Sequence, residues 1–277
     1  MTRDEIMLEI NPALARKILT GFIQSETTRA GFDRAIVGLS GGVDSSLACT
    51  LAAEALGPEN VMAVRMPYTT SSADSLEHAG LVIEKTGVQA TTLAISDAVD
   101  VLLNGIPEDQ KVRRGNIMAR MRMIVLYDQS ADFRGLVIGT GNKTEMLLGY
   151  TTQFGDAASA INPLGDLYKT QVRQLAVEMG IPEVILEKPP SADLWIGQTD
   201  EGELGFTYEE VDKLLYLLVD RRHSPDDCVD AGFDRKFVET VVELVRRNHF
   251  KRVMPPIAKL SNRTIGYDFL YMRDWGT

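Results

Sequence analysis

Ala35-Ile36-Val37-Gly38-Leu39-Ser40-Gly41-Gly42-Val43-Asp44-Ser45-Ser46 joins two unlike patterns, and this junction decides the fold. Residues 35–39 form an apolar run with the length of a buried strand. Ser45 to Leu56 then follow helical spacing and stop at Gly57-Pro58. Between them, two adjacent glycines permit a turn whose N–H groups converge, and the next helix adds its positive end. The string predicts an anion site suited to phosphate, with Ser40, Ser45 and Ser46 as hydroxyl donors. Asp44 would repel phosphate unless a bound Mg²⁺ neutralises both. The loop lacks the Gly-Lys-Ser/Thr ending of a Walker A motif, and Gly-x-Gly-x-x-Gly is absent.

The alternation continues on both sides. Asn11-Pro12 reads as an N-cap with proline at the first helical position, opening an amphipathic helix to about Ser25. Val61–Met66, Ala90–Ile95 and Leu136–Ile138 read as strands. Ala73–Lys85, Arg120–Tyr127 and Tyr168–Met179 read as helical. This order predicts an α/β fold, a Rossmann-like parallel sheet with helices on both faces. Ligands of such sheets bind beyond the carboxyl ends of the strands, which points to the loops after Leu39 and Ile138. Tyr208–Val219 and Arg235–Asn248 are helical with no strand between them. We therefore expect one domain over 1–277 with a C-terminal helical annex over about 207–277. Leu103–Arg114 and Trp195–Phe206 read as irregular stretches that could act as lids.

Composition narrows the function. The 277 residues carry 29 Lys and Arg against 39 Asp and Glu, a net charge of −10, which disfavours a nucleic-acid backbone as partner. The longest apolar run, Leu214–Val219, is too short to span a membrane, and the acidic N-terminus does not resemble a signal peptide. Cys49 and Cys228 cannot build a disulfide framework. Cys49 lies on the apolar face of its helix and is expected in the core. His78, His223 and His249 share no spacing and are read as surface or capping residues. A cytoplasmic enzyme is the expectation.

The loop at Ser40 resembles the Ser-Gly-Gly-x-Asp-Ser pyrophosphate loop of the ATP pyrophosphatases, which fold as adenine nucleotide α-hydrolase-like domains. Further blocks narrow the resemblance: Arg114-Gly115-Asn116 with Ala119–Met123, Gly139–Glu145 with Leu148–Asp156, Asn162–Thr170, and Lys188–Leu194. In this order they look like the ammonia-dependent NAD synthetases. That resemblance implies an ATP-dependent ligase that amidates deamido-NAD⁺ with ammonia, giving NAD⁺, AMP and pyrophosphate through an adenylated intermediate.

The resemblance also implies roles, residue by residue. Gly38, Leu39, Ser40, Gly41, Gly42, Val43, Asp44 and Ser45 would bind ATP, together with Thr140, Lys169 and Ser191. Asp44 and Glu145 would hold Mg²⁺, and Arg120 would contact deamido-NAD⁺. Asp156 matches a family aspartate near the ammonia and is the candidate to take its proton. Gln153 and Ala160 depart from the Lys and Asp of better-known members. Glutamine-dependent relatives carry an added amidase domain that the residues before Ala35 are too few to form, so free ammonia or a separate glutaminase is expected. A homodimer is also expected. Two rivals stay open: another ATP pyrophosphatase, such as a tRNA-modifying enzyme, and an ATP sensor without turnover.

Overall fold

The computed structural model describes residues 2–191, 193–195 and 197–268. Four parallel strands form one sheet: β1 (Ala35–Gly38), β2 (Val61–Arg65), β3 (Gln89–Thr92) and β4 (Leu136–Ile138), in the order β3-β2-β1-β4. Ala35 lies opposite Val61 on one side and Leu136 on the other. The chain builds outward from β1 through β2 to β3, then returns to place β4 against the other edge of β1. The order therefore reverses between β1 and β4, and a crevice opens above their carboxyl ends. Both loops singled out in the sequence lie there.

Residues 35–37 are fully buried because helices cover both faces. On one face pack α1 (Pro12–Arg29), α2 (Val43–Leu56), α3 (Ala73–Thr86) and α7 (Lys169–Glu178), whose apolar side chains share a core with Ala35, Val37, Val61 and Ala63. α2 is enclosed nearly all round, which is why its sequence is apolar without a polar face. Leu47 and Leu51 are completely buried in it. Truncation of either to Ala is expected to cost about 2–5 kcal/mol. Cys49 lies in this core, as its spacing predicts, and burial pushes its thiol up to about 12. The other face is covered by α4 (Ser96–Leu103) and α5 (Lys111–Phe133), which meet through Val99, Leu103 and Met118.

The remaining helices are α6 (Lys143–Leu148), α8 (Glu183–Glu187), α9 (Asp200–Leu204), α10 (Tyr208–Leu215), α11 (Pro225–Asp230) and α12 (Arg235–Arg247). A π-helical turn, Tyr216–Asp220, prolongs α10. α10–α12 form the expected annex around a second apolar core, which also takes in Ile6, Leu148 of α6 and Tyr168 at the start of α7. The last part of the expected annex, residues 269–277, lies outside the described residues.

Several expectations are corrected. The strand expected over Ala90–Ile95 is Gln89–Thr92, at the exposed sheet edge, and α4 begins directly afterwards at Ser96. The irregular stretch predicted over Leu103–Arg114 is shorter, because α5 begins at Lys111. Trp195–Phe206 contains the short helix α9, capped by Thr199. His78 is not a surface residue. It is buried within α3, with Nδ1 lacking a hydrogen-bond partner among the described residues.

Candidate active site

The β1–α2 loop is shaped by one glycine in particular. Gly41 has φ +81°, and a Cβ there would lie 2.2 Å from the Ser75 carbonyl oxygen, so only glycine fits. The chain can then turn tightly enough to start α2 at Val43 with Gly42 as N-cap. The N–H groups of the first turn have no intrahelical acceptor and end on the crevice, giving an anion-binding helix end. The serines divide their work. Ser45 Oγ and Ser46 Oγ both donate to the Gly42 carbonyl, at 3.0 and 2.8 Å, and Ser40 Oγ lies 3.0 Å from Ser45 Oγ. Ser46 is completely buried, so it staples the loop and is not one of the expected phosphate donors.

The loop after β4 supplies the facing wall. Asn142 is fully buried as the N-cap of α6: its side-chain oxygen accepts from Glu145 N–H at 3.0 Å, and Glu145 Oε2 accepts back from Asn142 N–H at 3.3 Å. The free amide of Asn142 then donates to Asp44 Oδ1 at 2.9 Å. One residue thus caps one helix and orients the carboxylate of another. Nothing in the sequence analysis selected Asn142, although the Asn-x-x-Glu spacing is a capping-box signature.

Lys169 enters from the first turn of α7. Its ammonium sits 2.6 Å from Asp44 Oδ2 and 3.1 Å from Glu145 Oε1, so it bridges the two carboxylates expected to hold metal. The Lys169 side chain is 3% exposed, and its ammonium lies 5.1 Å from the Tyr208 ring centroid. Burial opposes the charge on Lys169, but Asp44 and Glu145 outweigh it and raise the ammonium's pKa. Burial also raises the Glu145 carboxyl to about 7, against the pull of Lys169. Asp200 completes the acidic surroundings. It accepts from Tyr208 OH at 3.0 Å, is raised by burial, and leaves Oδ1 buried without a partner among the described residues.

This donor set fits a hard divalent cation. Asp44 and Glu145 both offer carboxylate oxygens, the ligands Mg²⁺ selects. No group of three or more His, Cys, Asp or Glu among the described residues is arranged to hold a metal ion.

Thr140 follows β4 between Gly139 and Gly141, at the crevice. Ser191 Oγ accepts from Asp193 N–H at 3.1 Å; Asp193, held at φ +51°, accepts in turn from Ser72 N–H at 3.1 Å and Ser75 Oγ at 3.0 Å. Because the Ser75 carbonyl touches Gly41, this chain of contacts ties Ser191 to the β1–α2 loop.

Arg120 and Asp156 form a separate group. Arg120 donates to the Gln153 carbonyl at 3.3 Å, and Asp156 accepts from Thr152 N–H at 2.8 Å. Thr152 Oγ donates to Asn116 Oδ1 at 2.7 Å, joining this loop to α5. Arg120, Asn116 and Lys111 line an open cavity of about 650 Å³. Asp156 stands at the surface of the loop, yet the chain packed around its carboxyl raises its pKa.

Family comparison matches this architecture. The pattern of the NAD synthase family fits residues 15–255. The chain belongs to the NAD synthase family. The NH₃-dependent NAD⁺ synthetase of Trichlorobacter lovleyi is 57% identical over 269 residues, covering 97% of this chain and 98% of that protein. Among solved structures, an NMN synthetase from Francisella tularensis superimposes with a TM-score of 0.80 at 31% identity, covering 90% of this chain and 99% of that one. The NH₃-dependent NAD synthetase of Campylobacter jejuni, solved with a nitrate ion, gives 0.77 at 31% identity over 91% and 100% of the two chains. In this NAD synthase family member, the crevice between β1 and β4 thus carries the loop, both carboxylates and the lysine.

Proposed function

We propose that the chain joins ammonia to deamido-NAD⁺ at the expense of ATP, forming NAD⁺, AMP and pyrophosphate, the last step of NAD synthesis. The observation that carries this reading is Lys169 bridging Asp44 and Glu145 beside a glycine turn and a free helix end, in a chain of the NAD synthase family. A carboxylate is a poor acyl donor because an oxide would have to leave. Transfer of AMP onto it supplies a good leaving group. A nicotinate oxygen attacks the α-phosphorus, and the bond to the β-phosphate oxygen breaks. Ammonia then attacks the carbonyl carbon, the bond to the AMP oxygen breaks, and one proton is lost.

Each group has a task in that scheme. The α2 first turn and the Gly41-Gly42 backbone receive the departing pyrophosphate, while Lys169 supplies positive charge as it forms. Asp44 and Glu145 would hold Mg²⁺, which neutralises phosphate charge when bound. Arg120 suits a phosphate or carboxylate on the acceptor. Asp156 takes a proton from bound ammonium and so frees the ammonia that attacks; its raised pKa brings it nearer to that work at neutral pH.

We extend the proposal to a homodimer in the cytoplasm. No helix among the described residues is long and apolar enough to cross a membrane. The functional test is pyrophosphate release from ATP and Mg²⁺, alone, with deamido-NAD⁺, and with ammonium added. Release that requires deamido-NAD⁺, followed by NAD⁺ on adding ammonium, is expected. Nicotinate mononucleotide, whose amidation would give the NMN in the Francisella protein's name, is run in parallel as a second acceptor. Equal use of both would broaden the substrate, and use of neither would overturn the reading.

A further inference from the structure

Glu145 and Lys169 come from different helices, α6 and α7, and their pairing depends on how those helices are held together. A third residue holds them, from the annex. Asp212 lies on α10 with no exposed surface, although the other buried residues of that helix, Tyr208, Val211, Leu214 and Leu215, belong to an apolar core. A carboxylate in such a place is costly unless both its oxygens are occupied. They are: Oδ1 accepts from Thr144 Oγ at 2.5 Å and Oδ2 from Thr170 N–H at 2.9 Å. Thr144 Oγ itself accepts from Lys169 N–H at 3.0 Å. Thr144 directly precedes Glu145, and Thr170 directly follows Lys169. The network therefore grips the backbone on either side of the ion-pair cluster, and burial pushes the Asp212 carboxyl up to about 6.

Resting on the function proposed above, we propose that Asp212 is a positioning residue for adenylation: through Thr144 and Thr170 it sets Glu145 and Lys169 against each other. The annex then does more than cover apolar surface. Its docking completes the phosphate end of the active site. A residue that merely glued helices could be exchanged for a neutral one of the same shape, with activity following the folded fraction. A positioning residue is different, because loss of its hydrogen bonds moves the reacting geometry while the fold persists.

The test compares the full chain with Asp212→Asn, Thr144→Val, Thr144→Ser and the Asp212→Asn/Thr144→Val double variant. Pyrophosphate release is measured against deamido-NAD⁺ concentration, and thermal melting is followed alongside. Asp212→Asn and Thr144→Val are expected to lower kcat by about 10–100-fold, the range for residues that orient a site through its first contacts, with KM for deamido-NAD⁺ unchanged. Thr144→Ser should recover most of that loss, and the double variant should be no worse than the poorer single one. Unchanged kcat in both single variants would overturn the inference. So would a loss that tracks the unfolded fraction, or a serine variant as poor as valine. Should Asp212→Asn fail to fold, the valine and serine variants at 144 decide alone. Inactive wild-type protein would overturn the functional reading and this inference with it, whereas active wild type with unaffected variants would overturn this inference only.

Discussion

The phosphate end and the acceptor end of the site are built in opposite ways. At the phosphate end, Asp44, Asn142, Glu145 and Lys169 sit on the first turns or caps of three helices, are largely buried, and hold one another within about 3 Å. At the acceptor end, Arg120 is exposed on α5, and Gln153 and Asp156 lie on a loop whose bonds are mostly to its own backbone and to α5. Pyrophosphate departure concentrates charge at one place, which suits rigid, desolvated groups whose interactions are strong. A dinucleotide must enter and leave, which suits an open wall. The difference teaches that charge stabilisation is stored in the fold at one end and assembled with substrate at the other.

The largest effect should come from removing the shared cation. Lys169→Met leaves two buried carboxylates facing each other, and breaking a buried ion pair in this way costs about 3–5 kcal/mol. Urea unfolding should show that loss, and pyrophosphate release should vanish. Stability close to wild type would mean the phosphate end is less tightly built than its contacts imply.

Gly41→Ala comes next. The new Cβ meets the Ser75 carbonyl at 2.2 Å on a residue held at positive φ, a strain of about 1–3 kcal/mol. Thermal melting measures it, and KM for ATP should rise in the same variant. Asn142→Ala removes a helix cap and the donor to Asp44 together, for about 1–2 kcal/mol by the same measurement.

Acidity offers a subtler probe. Burial raises the Glu145 carboxyl to about 7, above its unfolded value, so the folded chain binds that proton more tightly. This group's contribution is therefore fully favourable below pH 4.5 and is lost as pH rises through 7. Glu145→Gln mimics the protonated form. Its melting temperature relative to wild type should climb between pH 5 and 8, by about 2–4 °C for each kcal/mol. A flat difference would show that Lys169 keeps Glu145 ionised throughout.

The smallest effect on stability belongs to the acceptor end. Asp156→Ala should cost about 0.5–1.5 kcal/mol, the net worth of the hydrogen bond it accepts from Thr152 N–H. It should nevertheless slow amide formation while adenylation persists, which rapid-quench measurement of AMP and NAD⁺ separates. Normal ammonia kinetics would remove Asp156 from the proton-transfer role.

Much of the fold was legible in the sequence. Ala35–Leu39 and Leu136–Ile138 are short apolar runs because strands buried on both faces need no polar side. Asn11 and Gly57 marked helix ends by their own conformational preferences. The shorter helices were harder. α4 shows only Val99 and Leu103 on its buried face, and α9 hides among acids and glycines in a stretch that reads as loop. Ser46 was misread as a phosphate donor because a hydroxyl's direction depends on the turn around it.

The sequence by itself determined the strand–loop–helix junction at Ser40, the glycine that lets it turn, and the residue types from which a phosphate site can be made. Local sterics and hydrogen bonding act over a few residues, and so can be read there. Only the tertiary structure decided that Lys169, 125 positions from Asp44, settles between it and Glu145, and that buried Asp212 braces both sides of that pair. Such pairings follow from how helices stack on a sheet. Their strength comes from desolvation, which exists only once the chain has closed around them.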